Sequence, residues 1–160
     1  MKTLMIVRHA KSDWDDPRLK DFDRPLNRRG LASASEMAQR LIAKQMIPQY
    51  MLSSPALRAK TTSNIFAKEL GLAEPSYNDS IYESSYNNLL GIVNNLPDAY
   101  DFVAVFGHNP GISSLLCHLT GKVYDMPTCA IAVVRFEFDV WNLVGGDTGE
   151  LVYYDYPMNE

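Results

Sequence analysis

Apolar residues along this chain follow two alternating rhythms. Thr3-Leu4-Met5-Ile6-Val7 and Phe102-Val103-Ala104-Val105-Phe106 are unbroken runs of strand length, suited to strands covered on both faces. Elsewhere apolar positions recur every three or four residues, as in a helix with one buried face: Leu31, Ala34, Met37 or Ala38, Leu41 and Ile42, then Leu57, Thr61, Ile65 and Leu70. Asn27 can cap the first of these helices, which ends before Pro48. Ser54-Pro55 can open the second, with serine as cap and proline at the first helical position, and Gly71 closes it. Ser84 or Ser85 can cap a third helix carrying Leu89, Leu90, Val93 and Leu96, which Pro97 terminates. Gly107-His108-Asn109-Pro110-Gly111 turns the second apolar run into a fourth helix with Ile112, Leu115, Leu116 and Leu119, ended by Gly121.

Between these lie a short strand at Tyr50 to Ser53, a further extended stretch from Ser76 to Tyr82, and a loop over residues 10 to 26, rich in Asp and free of either period. Two last strands, Ala130 to Phe138 and Glu150 to Tyr156, flank a turn containing Gly145-Gly146-Asp147 and read as an antiparallel pair. Three strand-to-helix crossovers and a closing hairpin predict a three-layer α/β/α fold, its mixed and mainly parallel sheet flanked by helices. No repeat or linker composition interrupts the pattern, so residues 1 to 160 read as one domain. At 160 residues, 46% of them hydrophobic, the chain can bury about 70% of its unfolded surface without disulfides or structural metal. Cys117 and Cys129, with no CxxC and no paired His, read as small packed thiols.

With 15 basic and 19 acidic residues the formal charge is −4, and no basic tract stands out, so nucleic acid is excluded as partner. No apolar stretch is long enough for a membrane span, and the amino terminus has no signal-peptide pattern; both point to a cytoplasmic protein. Against this background the arginines in turns, Arg8, Arg58 and the segment Arg24 to Arg29, suggest an anionic substrate. Sites in open α/β folds lie at the carboxyl ends of parallel strands. Arg8-His9 follows the first strand, Arg58 falls in the first turn of the second helix, and His108 follows the central strand. If the strands are parallel, these residues share one rim, and arginine offers a planar fork matched to phosphate oxygens.

Leu4-Met5-Ile6-Val7-Arg8-His9-Ala10, Ser53-Ser54-Pro55-Ala56-Leu57-Arg58-Ala59-Lys60-Thr61-Thr62 and Val105-Phe106-Gly107-His108-Asn109-Pro110 resemble the signatures of the histidine phosphatase superfamily, which includes phosphoglycerate mutases and acid phosphatases. Asp23-Arg24-Pro25-Leu26-Asn27-Arg28-Arg29-Gly30 and Cys129-Ala130-Ile131-Ala132, with the short length, are most similar to its SixA-like phosphohistidine phosphatase branch. The resemblance runs in order from Leu4 to about Val134. It implies a phosphoglycerate mutase-like fold and a nucleophile at His9. Arg8, Arg58 and His108 would form the phosphate pocket, and Glu83 would be the proton donor; Ser12 is a further candidate donor to phosphate. It implies no cofactor and no metal, and a phosphorylated protein or small phosphorylated molecule as substrate.

Two positions depart from the family pattern. Ala10 stands where many members have Gly, which places a methyl group near the phosphate. Asp15 stands where mutase-like members often carry Asn, and an acidic group there disfavours a second substrate anion and favours hydrolysis over mutase chemistry. The leading expectation is hydrolysis of phosphohistidine on protein. A small phosphomonoester or nucleotide as substrate is the nearest alternative. A non-catalytic phosphate-binding adaptor and a metallohydrolase using His9, His108 and Asp13 are the rivals from other classes. His118, Trp14 and Trp141 read as packing residues, with Trp14 able to line the mouth of the site.

Overall fold

The computed structural model describes residues 1–158. Its sheet holds six strands, β1 (Lys2–Arg8), β2 (Tyr50–Ser53), β3 (Ser76–Tyr77), β4 (Phe102–Gly107), β5 (Ile131–Phe136) and β6 (Glu150–Asp155), in the order β3-β2-β4-β1-β5-β6. The first four in that order run parallel, and β5 and β6 are antiparallel additions beside β1. Helices α1 (Arg28–Ala43) and α2 (Leu57–Leu70) cover one face, while α3 (Tyr86–Asn94) and α4 (Gly111–Thr120) cover the other. This is the three-layer, mainly parallel arrangement that the alternating rhythms predict.

Strand alternation divides the core in two. Met5, Val7, Ala104 and Phe106 point toward α1 and α2, where they meet Ala34, Met37, Leu41 and Phe66. Leu4, Ile6, Val103 and Val105 point the other way, toward Leu89, Val93, Leu115 and Leu116. All of these side chains are buried, and each large one contributes about 1.5–3 kcal/mol by leaving water. The caps follow local chemistry. Asn27 accepts from the Gly30 N–H at 2.8 Å, Ser85 accepts from Asn88 at 3.1 Å, and Gly71 and Gly121 close their helices in the left-handed region at φ 70° and 78°.

Five expectations need correction. The buried face of α2 is Arg58, Ala59, Thr62, Ser63, Phe66 and Ala67 rather than Leu57, Thr61, Ile65 and Leu70, because the face that carries Arg58 to the rim is the one packed against the sheet and α1. Ser54 does not cap that helix, which begins after Ala56 with no side-chain cap. The stretch from Ser76 pairs for only two residues before a 3-10 turn at Asp79–Ile81, and β5 runs only from Ile131 to Phe136. Residues 10–26 are not wholly irregular: Ser12 and Leu26 form an antiparallel bridge, and Asp21–Asp23 make a 3-10 turn.

Candidate active site

Register brings the site together. Arg8 of β1 lies opposite Gly107 of β4, and Ser53 of β2 lies opposite Phe106. The residues that follow each strand, His9, His108 and Ser54, therefore leave the sheet side by side. The His9 N–H donates to the Gly107 carbonyl at 3.1 Å, the Ser54 N–H donates to Phe106 at 3.0 Å, and the two imidazole rings stand 5.1 Å apart between centroids. Arg58, in the first turn of α2, is almost wholly buried beside them. Arg8, His9, Arg58 and His108, together with Lys11, Ser12, Trp14, Arg24, Asn109 and Thr128, line a pocket of about 360 Å³. A larger cavity, about 730 Å³ along α3, has no charged side chain in its lining.

Hydrogen bonding sets the state of each histidine. Nδ1 of His9 lies 2.7 Å from the carbonyl oxygen of Ala10, which can only accept. Nδ1 therefore carries the proton, and Nε2 presents a lone pair. Nε2 of His108 is 2.7 Å from the Ser54 hydroxyl, whose oxygen already accepts from the Ala56 N–H at 3.2 Å. If the hydroxyl donates to Nε2, the ring proton of His108 sits on Nδ1. Burial pushes His9 down to about 3 against the raising effect of the Ala10 hydrogen bond, and His108, Arg58 and Arg8 add to the fall. Burial, followed by the charge of Arg58, pushes His108 down to about 4. Both rings are neutral at pH 7.

Three buried side-chain polar atoms lack a partner among the described residues: Nε of Arg8, Nε of Arg58 and Nδ1 of His108. All three belong to residues of this pocket. Leaving a buried donor unpaired costs about 1–3 kcal/mol, more when the group is charged. All three residues stand on one pocket whose two guanidiniums favour an oxyanion.

The arginines are held from behind. Arg8 Nη1 donates to the Met126 carbonyl at 2.9 Å. Arg58 donates to the Asp21 carbonyl at 2.7 Å and to its Oδ2 at 2.9 Å, while Arg24 donates to Oδ1 of the same carboxylate at 3.1 Å. Tyr82 donates to Oδ2 at 2.6 Å. Partial burial opposes ionisation of Asp21, but the hydrogen bonds from Tyr82 and Arg58 outweigh it and hold the carboxyl at about 2. Burial and Asp21 push Tyr82 up to about 12.

The structure places Arg8, His9, Arg58, His108 and Ser12 together. Ser12 accepts from Arg24 Nη1 at 2.6 Å, so its lone pair is used in fixing a guanidinium. Glu83 is exposed, in the left-handed region at φ 54° between Tyr82 and the Ser85 cap, and is not among the residues lining the pocket. The Ala10 methyl is fully buried in the apolar layer beneath α1, and the Ala10 N–H donates to the Thr62 hydroxyl at 3.0 Å, so the departure from Gly is absorbed by the core. Asp15 lines a separate cavity with Asp13 and Asp16. Among the described residues no group of three or more His, Cys, Asp or Glu could hold a metal ion. His118 packs on Tyr86 with ring centroids 4.8 Å apart, Trp141 is fully buried, and Trp14 stands at the mouth with Arg24 stacked 3.5 Å over its ring. Among the described residues no helix is long and apolar enough to cross a membrane.

Sequence reasoning missed Asp21, Tyr82, Ser54 and the inward role of Arg24. Of these Arg24 and Ser54 carried a signal, as members of the Asp23-Arg24-Pro25 and Ser53-Ser54-Pro55 motifs.

Residues 4–101 match the family model of the histidine phosphatase superfamily (branch 1). An uncharacterised chloroplastic protein of Arabidopsis thaliana is 31% identical over 151 residues, covering 88% of this chain and 69% of that protein. An uncharacterised protein of Mycobacterium tuberculosis is 30% identical over 141 residues, covering 81% and 86%. Among solved structures, a protein of Agrobacterium tumefaciens provisionally named phosphohistidine phosphatase SixA superposes with a TM-score of 0.85 at 24% identity, covering 98% of both chains. The protein histidine phosphatase SixA complexed with tungstate superposes with a TM-score of 0.81 at 23% identity, also covering 98% of both. Both solved structures share this fold.

Proposed function

This chain belongs to the histidine phosphatase superfamily, and from that premise we propose that it hydrolyses phosphohistidine on protein through a covalent phosphohistidine formed on His9. The observation that carries the proposal is the meeting of Arg8, Arg58 and His108 on one pocket with His9, whose Nδ1 is committed to the Ala10 carbonyl and whose Nε2 presents a lone pair.

In the first step Nε2 of His9 attacks phosphorus in line, the bond from phosphorus to the substrate nitrogen breaks, and that nitrogen leaves with a proton. Negative charge on the equatorial oxygens is held by the two guanidiniums and by His108 Nδ1–H. Water then attacks the phosphohistidine, releases inorganic phosphate and returns His9 to its neutral form. One displacement is thereby divided into two easier ones.

The choice of substrate rests on the pocket lining, which contains no carboxyl group. An alkoxide leaving group needs a positioned acid, whereas an imidazole protonated from solvent leaves without one. Glu83 stands outside the lining, which favours the nitrogen-linked phosphoryl group over a phosphomonoester.

Incubation with a labelled phosphodonor and an alkaline quench should yield an acid-labile, alkali-stable phosphoenzyme, absent in His9→Ala. No label from any of phosphoramidate, phosphohistidine peptides and sugar phosphates would overturn the covalent route. Labelling by sugar phosphates in preference to phosphohistidine would overturn the substrate class.

A further inference from the structure

A second cavity, of about 140 Å³, shares Lys11 and Thr128 with the phosphate pocket and is otherwise lined by Arg29, Ser33, Pro127 and Pro157. Backbone contacts hold its walls next to His9. The Asn27 N–H donates to the Lys11 carbonyl at 3.0 Å, and Gly30 packs so closely that a Cβ there would lie 2.1 Å from the same oxygen. The Cys129 N–H donates to the carbonyls of Arg8 and His9 at 3.1 and 3.0 Å. The first turn of α1, which carries Arg29, and the segment that carries Thr128 are thus both tied to the chain where it leaves β1.

Among the described residues no carboxylate pairs with Lys11 or Arg29, and Arg29 donates to the thioether sulfur of Met158, a weak acceptor. The cavity that follows along the chain leans acidic instead, with Asp13, Asp15 and Asp16 against Arg18, which pairs with Asp16 at 3.0 Å. The surroundings of the phosphate pocket are therefore polarised, although the chain as a whole carries a net charge of −4.

We propose that the Lys11–Arg29 cavity is a subsite for a substrate carboxylate, the side chain of an Asp or Glu flanking the phosphorylated histidine. This rests on the phosphohistidine reading above. Arg29 supplies a planar fork matched to a carboxylate, Lys11 adds a point charge, and the hydroxyls of Ser33 and Thr128 can donate to the same oxygens. The acidic cavity disfavours an acidic residue on its own side, so the subsite also gives the bound peptide a direction.

The test uses peptides bearing a non-hydrolysable phosphonate analogue of phosphohistidine, flanked by acidic, neutral or basic residues, with dissociation constants measured calorimetrically at low salt. The readout is the acidic-over-neutral affinity ratio within each protein, which cancels any general change in the phosphate pocket. The ratio is expected to be about three- to tenfold for the natural chain, from ion pairs to two exposed cations. It should approach one in Arg29→Gln and invert in Arg29→Glu. A ratio near one in the natural chain, or one unmoved by Arg29→Glu, overturns the subsite. An acidic preference without any phosphoenzyme would sustain the subsite and defeat the proposed chemistry, and a phosphoenzyme without the preference would do the reverse.

Discussion

Asp21→Asn tests how the phosphate pocket is held. The substitution keeps the size of the side chain and removes the charge that three donors converge on: Arg58 Nη2 at 2.9 Å, Arg24 Nε at 3.1 Å and the Tyr82 hydroxyl at 2.6 Å. An amide presents one oxygen, so if it accepts from Arg58 its NH₂ group faces the Arg24 guanidinium. The drop of the Asp21 carboxyl from 3.8 to about 2 corresponds to about 2.5 kcal/mol for a buried group. Its side chain is 47% exposed, and solvent screening reduces that to about 1 kcal/mol. Because the pKa is lowered on folding, the contribution is complete above about pH 4 and is lost as the pH falls through about 2. Urea unfolding should show Asp21→Asn about 1 kcal/mol less stable at pH 7, with the gap to the natural chain closing between pH 4 and 2. With Arg58 less firmly aimed, kcat/KM for phosphoramidate should fall about tenfold, the equivalent of about 1.4 kcal/mol of transition-state binding. A kcat/KM within twofold of the natural chain, or a stability gap that persists unchanged at pH 2, would refute the assignment of Asp21 as the positioning residue of Arg58.

The two histidines make a second prediction. Their folded values of about 3 and 4 lie below the unfolded 6.5, so unfolding takes up two protons and stability falls as the medium is acidified below pH 6.5. Between about pH 5.5 and 4.5 the slope attributable to the pair should be about 2.7 kcal/mol per pH unit, read from urea midpoints and halved in His108→Gln; equal slopes in the two proteins would contradict a neutral buried pair. Gly30→Ala should cost about 1–3 kcal/mol, because the new methyl meets the Lys11 carbonyl at 2.1 Å, and an unchanged melting temperature would show that α1 is not clamped there. Inorganic phosphate at a hundredfold excess over its Kd should stabilise the chain by about 2.7 kcal/mol in thermal melts, and Arg58→Ala should abolish most of that gain. A shift of equal size in Arg58→Ala would place the anion elsewhere.

The parts of this molecule legible in one dimension are those governed by neighbours along the chain. Five-residue apolar runs make β1 and β4, Asn27, Ser85, Gly71 and Gly121 end helices by local hydrogen bonding and backbone freedom, and the alternation of strands and helices points Arg8, His9, Arg58 and His108 to one rim. What only the tertiary structure decided depends on pairings between distant segments. The register of Arg8 against Gly107 and of Ser53 against Phe106 turned Ser54 from an expected helix cap into the partner of His108. The burial of α2 against the sheet and α1 selected Ala59, Thr62 and Phe66 over Leu57, Ile65 and Leu70 beside them. Asp21 sits in a stretch with no periodicity, and nothing along the chain marks it among its acidic neighbours as the group that Arg24, Arg58 and Tyr82 share. The physical reason is range: propensity and capping act within a few residues, whereas the cost of burying an unpaired charge is settled only where separate segments meet.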